Sequence, residues 1–161
     1  MWLSKRAFLL SSLSALAACG FTPVYGPQGA AGKLQNTVQV NAPGSRNAYL
    51  LVQELENRLG RSTTPLYRLE TAFAISGERM AVTADNVATR QNLIGRVTYR
   101  LRDATTGKLL TQGRVDAFTG YSATDSTIAT SAARDDAMAR LARMLADQIA
   151  TRLIASAADL P

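Results

Sequence analysis

Residues 96–102 read Arg96-Val97-Thr98-Tyr99-Arg100-Leu101-Arg102, a strict alternation of polar and apolar side chains. Successive side chains of a strand point to opposite faces. This period of two therefore sets Val97, Tyr99 and Leu101 on one side of a sheet and Arg96, Thr98, Arg100 and Arg102 on the other. The next six residues, Asp103 to Lys108 (DATTGK), form a hairpin turn with Gly107 at its positive-φ site. The strand beyond places Val115, Ala117 and Thr119 on one face and Gln112, Arg114 and Asp116 on the other. Upstream the same period holds, with Tyr67, Leu69, Thr71, Phe73 and Ile75 sharing a face. After Gly77 the apolar parity moves to Met80 and Val82, which predicts a bulge or bend near that glycine. Asp85-Asn86 are turn formers that would join this strand to the next.

Outside this block the period changes. Thr37 to Asn41 alternates around Val38 and Val40, a short strand. Pro43-Gly44-Ser45 makes a turn that leaves Ser45 as a helix N-cap. Over Arg46–Leu59 the apolar set Ala48, Leu51, Val52, Leu55 and Leu59 forms one helical stripe, and Gly60 stands where a left-handed terminating residue belongs. Tyr121 to Ser131 (YSATDSTIATS) reads as a hydroxyl-rich loop. A last helix is predicted over about 132–155, with Asp135 and Asp136 in its first turns and Met138, Leu141, Leu145, Ile149 and Leu153 on its apolar face. The order is β-α-β-β-β-α. This is an α+β fold, a two-layer sandwich of two helices on a roughly four-stranded mixed sheet. One sheet face is covered; the other is open and partly basic.

Composition narrows the chemistry. The 161 residues include one cysteine and no histidine, with 18 Lys+Arg against 12 Asp+Glu and 47% apolar side chains. That apolar share suits a folded core. Without histidine there is no Ser-His-Asp or Cys-His nucleophile, no His-ligated zinc and no imidazole switch. One cysteine excludes an intramolecular disulfide and a cysteine metal cluster. No Gly-Lys-Ser or Gly-Lys-Thr phosphate loop occurs, and Gly120-Tyr121-Ser122-Ala123-Thr124 lacks the second glycine of a nucleophile elbow. Asp135 and Asp136 are adjacent on a helix, so they face different directions and cannot work as a pair. The sequence thus contains no catalytic constellation, and neither a cofactor nor a metal is expected.

The first nineteen residues set the compartment. Lys5 and Arg6 precede Ala7 to Ala18, an uncharged apolar run of twelve residues. As a helix it reaches about 18 Å, too short to span a hydrocarbon core of about 30 Å. It reads as a secretory signal, residues 1–18. The run ends in Leu16-Ala17-Ala18-Cys19, which resembles a bacterial lipobox: cleavage falls before Cys19 and its thiol carries the lipid, palmitate included. Position 20 is glycine, not the aspartate that commonly retains such proteins at the inner membrane, so the outer membrane is the expected location. Phe21 to Gly32, with its prolines and glycines, cannot sustain a helix or a central strand. Residues 19–33 are read as a lipidated flexible tether and 34–161 as one domain. Removing the signal leaves 16 basic residues, 14 of them arginine, against 12 acidic ones.

Arginine's planar fork suits phosphate and carboxylate. The candidate binding surface is therefore the basic sheet face: Arg96, Arg100, Arg102 and Arg114, with Lys108 at their turn. It serves either as an anion-binding face or as a solvated one with Asp103 and Asp116 as partners. Nucleic acid is not expected, because no stacking aromatics are interleaved with these arginines.

The run Cys19-Gly20-Phe21-Thr22-Pro23-Val24-Tyr25-Gly26 resembles the mature start of the LPS-assembly lipoprotein family LptE of the alphaproteobacterial type. The element order is similar to that family's, and so is the last helix through Ala146-Asp147-Gln148-Ile149 and Arg152-Leu153. The resemblance implies a non-enzymatic protein of the Gram-negative outer membrane, lipid-anchored on its periplasmic side. It implies an LptD-type β-barrel as partner, with this domain as its plug, and a part in lipopolysaccharide insertion into the outer leaflet. The alternative is a periplasm-facing accessory or binding lipoprotein of a lipid ABC transporter.

Overall fold

The computed structural model describes residues 29–82, 88–123 and 126–160. The signal segment, Cys19, most of the expected tether and the Asp85-Asn86 turn lie outside them. The sheet has the order β1-β2-β3-β4. Strand β1 (Val38–Val40) runs parallel to β2 (Tyr67–Val82), while β3 (Ala88–Asp103) and β4 (Leu109–Ser122) are antiparallel to their neighbours. Helices α1 (Ala30–Leu34), α2 (Arg46–Leu59) and α3 (Thr127–Ser156), with a 3₁₀ turn at Ala157–Asp159, make the second layer. Between the layers Leu34, Leu51, Leu55, Leu69, Leu101, Leu141, Leu145, Ile149 and Leu153 are fully buried. The two-layer α+β architecture is the one expected.

Helix α2 has the expected limits. The Ser45 hydroxyl accepts the Ala48 N–H at 3.2 Å, and Gly60 ends the helix at φ 77°. Glycine is required there for space as well: a Cβ on Gly60 would fall 2.0 Å from Asn36 Oδ1. The Asn36 N–H in turn donates to the Leu59 carbonyl at 2.7 Å, tying the start of the fold to the end of α2.

Three expectations are corrected. Helix α1 begins at Ala30, inside the stretch read as tether, because Ala31 and Leu34 bury their side chains in the core. Helix α3 begins at Thr127, not near 132, with the Ser126 hydroxyl accepting the Ala129 N–H. Asp135 and Asp136 consequently sit in its third turn, where Asp136 pairs with Arg140. The register of β2 runs undisturbed through Gly77, which pairs with Leu93; the shifts fall between Arg79 and Val82.

Helix α3 also closes one edge of the sheet. Arg152 Nη1 donates to the Arg114 carbonyl at 2.6 Å, Gln148 Nε2 to that of Asp116 at 3.2 Å, and Arg140 Nη2 to that of Gly120 at 3.2 Å. Four helical residues rise about 6 Å and two strand residues about 6.6 Å, so an i+4 row can follow alternate carbonyls. An edge strand with its carbonyls occupied is a poor template for another chain. A glycine lets this helix come close: a Cβ on Gly95 would lie 2.8 Å from Leu145 Cδ1 and 3.0 Å from Leu141 Cδ2.

Candidate functional site

The uncovered face of the sheet is ordered by strand register. Across β2, β3 and β4 its rows are Arg68–Arg102–Leu109, Glu70–Arg100–Gln112, Ala72–Thr98–Arg114, Ala74–Arg96–Asp116 and Ser76–Ile94–Phe118. The inward parity holds Tyr67, Leu69, Val97, Tyr99, Leu101 and Val115 in the core. That alternation fixes the arginines outward, since a slip of one residue would bury all of them together.

Within this face the five expected basic residues have different surroundings. Arg96 Nε lies 2.7 Å from Asp116 and Arg114 Nε 3.3 Å from the same carboxylate. The hydrogen bond from Arg96 holds the Asp116 carboxyl below the usual range, with the charge of Arg114 adding to it. Arg102 lies 3.2 Å from Glu70 and donates to the Gly107 carbonyl at 3.1 Å. Arg100 and Lys108 are exposed and have no carboxylate within ion-pair distance among the described residues. Pairs this exposed contribute little to stability, about 0–1 kcal/mol each.

Asp103, expected as an arginine partner, is turned to its own hairpin. Its Oδ1 accepts the Thr106 N–H at 2.7 Å, the Thr106 hydroxyl at 2.9 Å and the Thr105 N–H at 3.0 Å. The Thr106 N–H bond, reinforced by the others, lowers this carboxyl as well. Gly107 has φ 70°, as the turn requires. The structure therefore joins Arg96 to Arg114 through Asp116, sends Arg102 and Lys108 to the turn end, and leaves Arg100 between the two groups.

Two features of this face were not read from the sequence. Arg68 stands beside Arg102 in register and is exposed; its place between inward Tyr67 and Leu69 carries the signal. Further along, Ile94 and the 70% exposed Phe118 line an open hollow of about 440 Å³, with Asn92, Glu78, Asp116 and Ala117 around it. A single apolar residue at an outward parity position carries no signal until the register shows its neighbour.

Comparison with known proteins places this chain. The family model LptE, lipopolysaccharide-assembly, matches residues 35–153. A candidate lipoprotein from Caulobacter crescentus is 27% identical and superposes with a TM-score of 0.70, over 83% of this chain and 98% of its own. The rare lipoprotein B of Shewanella oneidensis has the same fold at 12% identity and a TM-score of 0.59, over 78% of this chain and 98% of its own. A minor lipoprotein from Acinetobacter baumannii, 16% identical, gives a TM-score of 0.52 over 73% and 88%. No curated protein matches this sequence.

Proposed function

The chain belongs to the LptE family of lipopolysaccharide-assembly proteins, and we propose that it is anchored through Cys19, pairs with an LptD-type β-barrel and helps insert lipopolysaccharide into the outer leaflet. The observation that carries this reading is the family match, which runs from just before β1 to near the end of α3 and so takes in the two-layer unit. Proteins of this family are lipoproteins associated with the outer membrane. No helix among the described residues is long and apolar enough to cross a membrane, so this reading assigns attachment to the lipid.

Physical fit supports a plug. Large barrels enclose a polar lumen that their own side chains do not fill. This domain completes its core internally and offers outward a polar, arginine-rich sheet face. Arg96, Arg100, Arg102, Lys108 and Arg114 would pair with the lumen wall or with lipid A phosphates and core carboxylates, through bidentate contacts where arginine is used. The Ile94–Phe118 hollow on the same face adds an apolar surface that suits an amphiphile. Such a role requires binding and positioning and no reactive side chain.

Depletion of the chain is expected to lower the amount of assembled barrel and to strand lipopolysaccharide short of the cell surface. Complementation with a folded Arg96→Ser, Arg100→Ser, Arg114→Ser variant should leave anchoring intact and weaken barrel or lipopolysaccharide binding by roughly tenfold or more, since bonds to charged groups contribute about 1.5–3 kcal/mol each. Unchanged barrel and lipopolysaccharide levels after depletion would contradict the function. Normal binding by the triple variant would return this face to a solvated role.

A further inference from the structure

The topology gathers the chain's entry, the α2–β2 loop, the β3–β4 turn and the C-terminal turn at one end. Lys33 Nζ donates to the Leu160 carbonyl at 3.0 Å, the Leu66 N–H to that of Thr37 at 2.9 Å, and the Ala104 N–H to that of Leu66 at 2.9 Å. Two leucines are bare at this end: Leu66 is 59% exposed and Leu109 40%. Cations alternate with them along the chain. Arg68 follows Leu66 by two residues, Lys108 precedes Leu109, and Arg68, Arg102 and Leu109 share one row of the open face.

The carboxylates nearby are occupied, Glu70 by Arg102 and Asp103 by the N–H groups of its own turn. Arg68 and Lys108 have no carboxylate within ion-pair distance among the described residues. Lone exposed leucines are ordinary. Two of them at one end, set among unneutralised cations, have the chemistry of an interfacial contact: apolar tips enter the headgroup boundary while guanidinium and ammonium meet lipid phosphates.

We propose that this end of the domain docks on an anionic phospholipid surface through Leu66, Leu109, Arg68 and Lys108. Two observations select that occupant. One is the uncompensated positive charge. The other is reach: Cys19 precedes Gly29 by ten residues, a span of at most about 35 Å even when extended, and that chain enters the fold at this end. The orientation rests on the Cys19 anchor proposed above but not on the barrel. Docked this way, the domain stands with its turn end on the leaflet and Ile128, 84% exposed in the first turn of α3, at the far end.

The only tryptophan is Trp2, in the signal segment, so the mature chain of residues 19–161 has no tryptophan background. Leu109→Trp and Ile128→Trp variants of the lipidated mature chain would be placed in vesicles of phosphatidylcholine, alone or mixed with phosphatidylglycerol. With phosphatidylglycerol present, Leu109→Trp should shift to shorter emission wavelengths and be quenched by brominated acyl chains, and Ile128→Trp should not. Quenching of Leu109→Trp no greater than that of Ile128→Trp would overturn the proposal.

The mature chain carrying Cys19→Ala reads the same surface without the lipid. It should float with the anionic vesicles and not the zwitterionic ones, and Arg68→Gln and Lys108→Gln should each weaken this by about fivefold. Equal flotation on both vesicle types, or on neither, would also overturn the proposal. Failure of the anchor reading appears elsewhere, as Cys19 without acyl chains in the cell.

Discussion

Cys19→Ala is expected to abolish palmitate incorporation and leave the chain as an uncleaved precursor or as protein released from the membrane fraction. The magnitude follows from the number of acyl chains. One myristoyl chain gives only marginal, reversible binding, with an association constant of about 10⁴ M⁻¹, whereas two chains anchor stably. Removing the attachment point of a multiply acylated thiol therefore takes membrane association from effectively permanent to whatever the protein surface alone supplies. Because Cys19 is the only cysteine, no second thiol can substitute for it. Palmitate labelling with membrane fractionation measures the effect. Full labelling of Cys19→Ala would end the lipid-anchor reading, with the barrel partnership still to be judged on its own evidence.

Leu145→Ala is expected to be the most damaging single change in the folded domain, lowering stability by about 2–5 kcal/mol. Leu145 is fully buried, and it lies over Gly95 where α3 comes closest to β3. The neighbouring strand has no side chain with which to fill the space, since glycine is what permits the approach. Backbone on both sides is held by helix and sheet ladders, so the site cannot collapse and the lost methyl groups leave a cavity. A typical domain is stable by only about 5–15 kcal/mol, so such a loss is a large part of the whole. Urea unfolding of the mature chain should show a much lower midpoint for Leu145→Ala. It should show little change for Met144→Ala, whose side chain is 37% exposed. Equal midpoints would mean that the interface of α3 with β3 is not where the core is held.

What the sequence makes legible follows from which residues are half-buried. The alternation through Arg96–Arg102 and the stripe in Arg46–Leu59 both report a boundary between core and water, and both elements lie where that boundary predicts. Residues Thr127 to Asp136 of α3 run past this boundary. None of them is buried, so no apolar period marks the helix there, and Ser and Thr suggest a loop. Their helical penalty is only a few tenths of a kcal/mol per residue, which the continuing helix absorbs. Helix α1 is the opposite case. Five residues flanked and interrupted by glycine have no helical tendency of their own, and burial of Ala31 and Leu34 imposes the conformation.

The same logic applies to the basic face. Parity was enough to set Arg96, Arg100, Arg102 and Arg114 outward. It could not show which carboxylate each one meets, because that depends on pairing between strands far apart in sequence. Asp116 falls opposite Arg96 in register. Asp103 is instead captured by N–H groups two and three residues on, as aspartate at a turn often is. The charge that matters is consequently smaller and more localised than the count of arginines suggests, and it includes Arg68.

The partnership with a barrel is tested most directly by purifying the tagged, lipidated chain from its own outer membrane in mild detergent and identifying what accompanies it by mass spectrometry. A large LptD-type β-barrel should co-elute with the chain at constant stoichiometry and remain bound through size-exclusion chromatography. Elution of the chain alone, or with components of a lipid ABC transporter in place of a barrel, would contradict the proposed function.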